Sequence, residues 1–227
     1  MNRNHLIPSA LLAAILLSAG AARAAEAKVS ATIGVASDYV FRGVSQTDEG
    51  PFVFGTVNVT AGAFYAGAGA ETVDFGNSID AEYDFWAGWT PKVCEVQLNL
   101  GVVRYGYVNT PAGVDIDTVE LKAGGSVPVG GGSVGATIAW TDDFFGSGDS
   151  GTYVEVNGSS APLNGWTIGG ALGQQQIAVG GDYSTWNLGA SHAFGPVVLD
   201  LRYHDTDAHD RGDLFGARAV ATLKATF

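Results

Sequence analysis

Cysteine is almost missing from this chain of 227 residues: Cys94 stands alone, so no internal disulfide can form. Basic residues are scarce, 11 against 23 acidic, and a net charge of −12 excludes the basic footprint that nucleic-acid binding needs. Charged residues of either sign reach only 15%, low for a surface that meets water alone. The four histidines show no zinc spacing. After residue 28 there is no defensible period-3.6 stretch and no apolar run long enough for a membrane helix. Helical bundles, zinc modules and disulfide scaffolds are thereby set aside. What is plentiful is glycine, 33 residues spread along a body about one domain long.

The first 24 residues differ from the rest. Arg3 and His5 precede an apolar run from about Leu6 to Ala22, and the small-residue triads Ala22-Arg23-Ala24 and Ala25-Glu26-Ala27 follow. Charged start, apolar middle and small-residue exit predict a secretory signal peptide over 1–24 and a mature domain over 25–227. The run is short and Ala-rich for a retained anchor helix, and no cysteine at the exit suggests a lipid anchor. Cleavage removes Arg3 and Arg23 and no acid, which takes the net charge from −12 to −14.

The mature body alternates with period 2. In the first strand Val29, Ala31, Ile33, Val35, Tyr39 and Phe41 share one face, and Lys28, Ser30, Thr32, Gly34 and Asp38 share the other. At the far end Phe215, Ala217, Ala219, Ala221, Leu223, Ala225 and Phe227 oppose Gly216, Arg218, Thr222, Lys224 and Thr226. Ten further strands are expected near 52–61, 63–73, 79–90, 93–107, 114–127, 134–141, 152–160, 166–173, 183–193 and 197–204. The total is about 12, with 10 to 14 compatible with the pattern, since boundaries read from one sequence shift by several residues. Bulges are expected in the fifth and sixth strands, where the apolar phase slips at Val102-Val103 and between Ile116 and Val119. Cys94 is expected as a small apolar residue on a strand face. Connections alternate too. They are brief at Gly62, Pro91-Lys92, Pro128–Ser133, Pro162–Gly165 and Phe194–Pro196, and long and polar at Arg42–Gly50, Thr141–Gly151, Gln174–Asp182 and Asp205–Asp213. Short turns on one side and long loops on the other are the habit of an outer-membrane barrel.

A soluble barrel also alternates, with its apolar face inward. Lipid is favoured here by aromatic residues at strand ends. Tyr39, Phe41, Tyr105, Tyr107, Trp140, Tyr203 and Phe215 are expected to form a girdle at the long-loop side, and Trp89, Trp166 and Phe227 one at the short-turn side. The polar face is rich in Gly, Ser, Thr and Asn instead of the Lys and Glu of a solvated exterior. The expected fold is therefore an all-β, antiparallel up-and-down barrel in the bacterial outer membrane. Hydrocarbon offers backbone amides no partner, so the last strand must close on the first.

The segment Ser37-Asp38-Tyr39-Val40-Phe41-Arg42-Gly43-Val44-Ser45-Gln46-Thr47 resembles the opening motif of the TorF porin family. Gly62–Gly67, Val73–Gly76, Asp80–Trp89 and the central loop Asp143-Phe144-Phe145-Gly146-Ser147-Gly148-Asp149 are similar to later parts of that family, over nearly the whole mature chain. The resemblance implies an outer-membrane channel, and marks Arg42, Gly43, Ser45 and Gln46 as the family's first-loop residues. It also implies that Phe227 is the terminal aromatic read by the barrel-assembly machinery.

Candidate site residues fall in the lumen and the outer loops. Asp80, Glu82 and Asp84 lie on the inward phase of the fourth strand, spaced by about 6.8 Å. Glu95 and Glu120 extend this acidic wall, and Lys122 partly offsets it. Lys28, Asp200, Arg202, Arg218 and Lys224 make a mainly basic wall opposite. The expectation is a transverse charge separation that orients small polar solutes, set against a salt-bridge network that only fills a narrow lumen. Asp48, Glu49, Asp74, Asp115, Asp117, Asp142, Asp143, Asp149, Asp205, Asp207, Asp210 and Asp213 form a negative mouth that concentrates cations. Asp205, Asp207, His209, Asp210 and Asp213 could hold a hard cation but lack the pattern of an EF-hand, so neither metal nor cofactor is expected. Arg42 either bonds lipopolysaccharide phosphate or braces the first loop, and bracing is the favoured role. Gly148-Asp149-Ser150-Gly151 looks like a serine-nucleophile motif without its context, and Asn58-Val59-Thr60 is a sequon inside a strand. Adjacent Ser191 and His192 must point to opposite faces, which argues against a lipid-modifying enzyme. Passive diffusion of small hydrophilic solutes leads, with a cation bias; a closed structural or adhesive barrel is the main alternative.

Overall fold

The structure, a computed structural model, describes residues 25–227, so the expected signal peptide lies outside the described residues. Twelve strands run β1 (Lys28–Ala36), β2 (Phe52–Ala61), β3 (Phe64–Thr72), β4 (Ala81–Trp89), β5 (Val96–Val108), β6 (Thr118–Val129), β7 (Gly132–Thr141), β8 (Gly151–Ser159), β9 (Trp166–Ile177), β10 (Tyr183–Phe194), β11 (Val197–Thr206) and β12 (Arg218–Thr226). Each pairs antiparallel with its sequence neighbours, and β12 pairs with β1 from Thr32↔Thr226 to Ala36↔Thr222. The barrel is closed and has no α-helix among the described residues.

Glycine explains the tightness of the short turns. Gly130-Gly131 and Asn164-Gly165 occupy their turns with both residues at positive φ, the conformation a two-residue hairpin with right-handed twist requires. On the opposite side most connections are longer, as the sequence predicts, the exception being the five residues 178–182 between β9 and β10.

Side chains alternate without interruption. Val57, Val59, Phe85, Leu121, Ile138, Val156, Ile168, Leu188 and Leu201 all point outward and are exposed; Leu172 reaches 69%. The partner phase points inward: Thr56, Asn58, Glu82, Asp84, Asn99, Glu120, Thr137, Glu155, Asn187 and Arg202. The apolar side is thus the outside, the reverse of a soluble barrel's arrangement.

Three expectations are corrected. The fifth and sixth strands contain no bulge, since pairing runs unbroken from Gln97↔Ser126 to Tyr105↔Thr118. The apparent slip at Val102-Val103 arises because Val102 faces out while Val103, 6% exposed, packs against material inside the barrel. Second, the turn near Pro91-Lys92 falls two residues later: Lys92–Val93 pairs back on Val96–Gln97, and Cys94 (φ 54) is an exposed turn residue. Third, the long-loop girdle is made by Trp140, Trp186 and Tyr203, exposed on the outer face and joined by the outward Tyr83 and Phe85. Tyr39, Phe41, Tyr105 and Tyr107 point inward, and Phe215 packs against Tyr183 in the loops. The short-turn girdle holds with Trp89, Trp166 and Phe227, and gains Phe64 and Phe194.

Candidate functional site: the lumen and its mouth hairpin

The loop after β1 does not extend away from the barrel. Val40–Phe41 pairs with Val44–Ser45 in a miniature hairpin whose two-residue tip is Arg42-Gly43, φ 49 and 86. Both positive angles suit a type I′ turn, and glycine takes the second at no steric cost. Gly43 also has no room for a side chain: a Cβ there would lie 2.3 Å from Thr185 Oγ1.

This tip crosses the lumen. Arg42 donates to Glu120 Oε2 at 2.6 Å on β6 and to Gln175 Oε1 at 2.8 Å on β9. Its guanidinium lies over the Phe41 ring at 4.6 Å and the Tyr153 ring at 4.5 Å. Glu120 and Gln175 are almost fully buried, at 1% and 0% exposure. A bidentate-capable planar cation that also stacks is the side chain such a junction requires, and lysine would not serve. The hairpin base is anchored on the other side, where Arg218 on β12 donates to Asp38 Oδ2 at 2.9 Å. Asp38 Oδ1 accepts from Ser45 Oγ at 2.7 Å and Thr47 Oγ1 at 3.0 Å. Gln46 donates its backbone N–H to Tyr39 and accepts from Asp74 of the next loop. Arg42 therefore braces the first loop inside the barrel and is out of reach of lipid phosphate. The four motif residues Arg42, Gly43, Ser45 and Gln46 are all parts of this hairpin.

Aromatic residues fill the space beside it. Phe41 meets Tyr105 and Phe145 edge-on, and Phe145, from the central loop, also touches Tyr107. Val73, Ile79, Val103, Tyr105 and Tyr107 form the buried cluster beneath them. Tyr39 donates its hydroxyl to Glu82. Burial, and then the neighbouring Glu82 carboxylate, hold the Tyr39 phenol well above its usual range, so it stays a donor at any working pH.

Below the hairpin the lumen opens. One cavity of about 340 Å³ is lined by Tyr65, Asp84, Trp86, Asn99, Tyr105 and Lys122 among others. A second of about 300 Å³, on the opposite side, is lined by Ser191, Asp200, Arg202, Thr222 and Lys224. Of the expected acidic wall, Glu82, Asp84 and Glu120 face the lumen. Asp80 does not; it precedes β4 and accepts from Asn109 in the outer loops. Glu95 is also off the wall, in the tight turn beside Cys94, where it pairs with Lys92 at 3.6 Å. Of the basic wall, Arg202, Arg218 and Lys224 face inward, with Asp200 gripping Arg202 at 3.0 Å.

The sequence reading missed Glu71. It points inward from β3, and carboxylate oxygens of Glu71, Glu82 and Asp84 all lie within 4.8 Å of one another. Its signal was available, because Glu71 follows Gly67 and Gly69 on a strand whose other phase is Ala-rich. In the last loop His209 pairs with Asp205 at 2.6 Å, and Asp207 accepts from the Ser184 N–H. Ser191 and His192 do occupy opposite faces, the first beside the second cavity and the second against Trp166 and Phe194 outside.

Comparison with known proteins agrees with this architecture. The KdgM porin superposes with a TM-score of 0.64 at 11% identity, covering 87% of this chain and 99% of that one. The KdgM porin in complex with disordered oligogalacturonate gives 0.62 at 10% identity, with 89% and 99% covered. The COG4313 outer-membrane channel from Pseudomonas putida F1 gives 0.52 at 11% identity, with 89% and 95% covered. At such identities the likeness is one of fold. No curated protein matches the sequence. The family model described as "Bacterial protein of unknown function (Gcw_chp)" matches residues 20–227, and the TorF name that the first-loop motif suggests is not the one this match carries.

Proposed function

The chain belongs to the Gcw_chp family, whose description assigns no function, and from the geometry we propose a porin-like channel of the bacterial outer membrane. It passes small hydrophilic solutes by diffusion, with a bias towards cations. The observation that carries this reading is the pair of lumenal cavities, lined by charged and polar side chains inside a barrel whose outer wall is apolar. A barrel serving only as a scaffold would fill that space with packed side chains. Residues 1–24 direct export and are cleaved, Phe227 engages the assembly machinery, and the outer wall meets lipid and lipopolysaccharide. The cation bias rests on the acidic mouth, where Asp48, Asp74, Asp115, Asp142, Asp143, Asp207, Asp210 and Asp213 are exposed. The division between Glu71, Glu82 and Asp84 on one side and Arg202 and Lys224 on the other orients dipolar solutes as they pass. Ser191 and His192 face apart, which speaks against that pair as the nucleophile and base of a lipid-modifying enzyme.

One observation favours the alternative of a closed barrel with binding loops: the Arg42 brace spans the mouth. Planar-bilayer recording separates the two. The channel reading expects a small, cation-selective conductance in the intact protein and a several-fold larger one in Arg42→Ala, with correct folding checked by the gel mobility of the unheated barrel. Asp84→Ala and Lys224→Ala should shift the reversal potential in opposite directions. Silence from both the intact protein and Arg42→Ala would leave the closed barrel as the answer.

A further inference from the structure

Trp86 is the largest side chain on the inner wall, and the wall is shaped to hold it flat. Its cross-strand neighbours on β3 are Gly67 and Gly69. A Cβ on Gly67 would stand 2.5 Å from the indole Nε1 and Cε2, and one on Gly69 would stand 3.2 Å from Cζ3. Contacts at both ends of the indole mean that the ring lies along the strand, pressed against bare backbone. The indole N–H donates to Asn58 Oδ1 at 2.9 Å, which fixes the rotation. Tyr65 is treated in the same way. It lies over Gly88 and Gly101, and its hydroxyl donates to Asn99 Oδ1 at 2.8 Å. One face of each ring is spent on glycine backbone, and both residues line the 340 Å³ cavity.

The polar groups around the cavity are of both kinds. Asn99 has given its carbonyl oxygen to Tyr65 and keeps its amide NH2 as a donor. Lys122 Nζ, 2.9 Å from the Tyr105 hydroxyl, supplies further donors. Asp84 contributes a carboxylate to the lining, its Oδ1 turned into the wall. A simple ion satisfies donors or acceptors but not both. Hydroxyl groups do both at once. A ring whose hydroxyls lie round its edge and whose C–H bonds point from its face suits this surface, because the electron-rich face of an aromatic attracts polarised C–H groups. The volume is at the small end for ligand pockets, enough for one or two sugar rings.

We infer that the β3–β5 wall of the lumen, with Trp86 and Tyr65 as platforms and Asp84, Asn99 and Lys122 at the rim, is a binding subsite for a neutral carbohydrate. The nearby Glu71, Glu82 and Glu120 disfavour acidic sugars here. The inference rests on the channel reading for its role in transport, but the site is testable without it.

Maltose and digalacturonate are the probes. In planar bilayers, maltose should reduce the ion current through the intact protein saturably at millimolar concentration, and digalacturonate should not. Trp86→Ala should raise the half-blocking maltose concentration about tenfold, the loss expected when some 1.4 kcal/mol of contact is removed. Gly67→Ala, which pushes the indole off the wall, should weaken block in the same direction and covers the case in which Trp86→Ala fails to fold. A normal ion current with no saturable maltose block would overturn the subsite and leave the channel standing. Saturable block by digalacturonate alone would also overturn it. Should no ion current appear, the channel reading fails, and calorimetric titration of the micelle-folded barrel with maltose decides. Saturable heat lost in Trp86→Ala supports the site, and no saturable heat rejects it.

Discussion

Strand β5 is two different walls. Its lower inward residues, Gln97, Asn99 and Gly101, are polar or absent and face open lumen, while its upper ones, Val103, Tyr105 and Tyr107, are apolar and buried. The backbone and the alternation are the same in both halves. What differs is the material opposite: water below, and the in-folded first and central loops above. An inward-facing position takes its polarity from what fills the tube at that height, whereas the outward phase of β5 is apolar from Leu98 to Val102 and turns polar only at Arg104, which pairs with Asp117 of the following loop.

That contrast can be broken most severely at its junction. Arg42→Ala leaves Glu120 buried without its main partner, a change that costs about 3–5 kcal/mol in a sealed interior. Lys122 Nζ, 3.8 Å from the same oxygen, holds the effect to the lower end. The urea midpoint of the micelle-folded barrel should fall accordingly, and the Arg42→Ala, Glu120→Gln double variant should lose less than the two singles summed. Equal, additive losses would mean the brace is not a coupled unit. A smaller effect comes from the lower wall. Ile138→Lys, on the outer face, should cost about 2–4 kcal/mol in bilayers. Thr137→Lys, its inward neighbour at the first cavity, should stay within about 1 kcal/mol, as surface changes do. Similar costs at both positions would contradict the assignment of faces. The smallest effect is at the mouth. The Ser184 backbone N–H donates to Asp207 at 2.7 Å and holds that carboxyl below the usual aspartate value of 3.8. A depressed value contributes stability above the ordinary range, and that stability is lost as pH falls through the depressed value. The Ser184 amide resonance should therefore titrate with a midpoint under 3.8, and Asp207→Asn should abolish the transition.

Much of this was legible from residues alone, for a physical reason. A strand bathed on one side by hydrocarbon must repeat its apolar residues every second position, so Val57, Val59, Ile138 and Leu188 announced the outer wall, and Gly130-Gly131 and Asn164-Gly165 announced the turns. The mouth was less open to reading. Tyr39 and Phe41 share the apolar phase of the first strand on paper, but the chain turns inward after Ala36 and carries both into the lumen. Tyr105 and Tyr107 then looked like girdle residues because an apolar inner wall implies a plug, and nothing local to β5 states that one exists. Arg42 was singled out by its motif, and bracing was the favoured role, yet its partners Glu120 and Gln175 lie 78 and 133 residues away. Asp80 and Glu95 fit the inward phase by counting and fell outside it because strand ends, not alternation, decide where the wall stops.

The ladder joining β12 to β1 covers Thr32–Ala36, with Ala31 and Phe227 bonded in both directions below it, whereas that between β1 and β2 covers all of Lys28–Ala36. Directly above this short seam sits the Arg218–Asp38 clasp, with Ser37 bonded to Ala221 in both directions. The same few atoms that suspend the hairpin also tie the two edges of the ribbon together. Sideways unzipping of the cylinder along that line would set the hairpin loose, and pulling the hairpin free would remove the stitch above the weakest join.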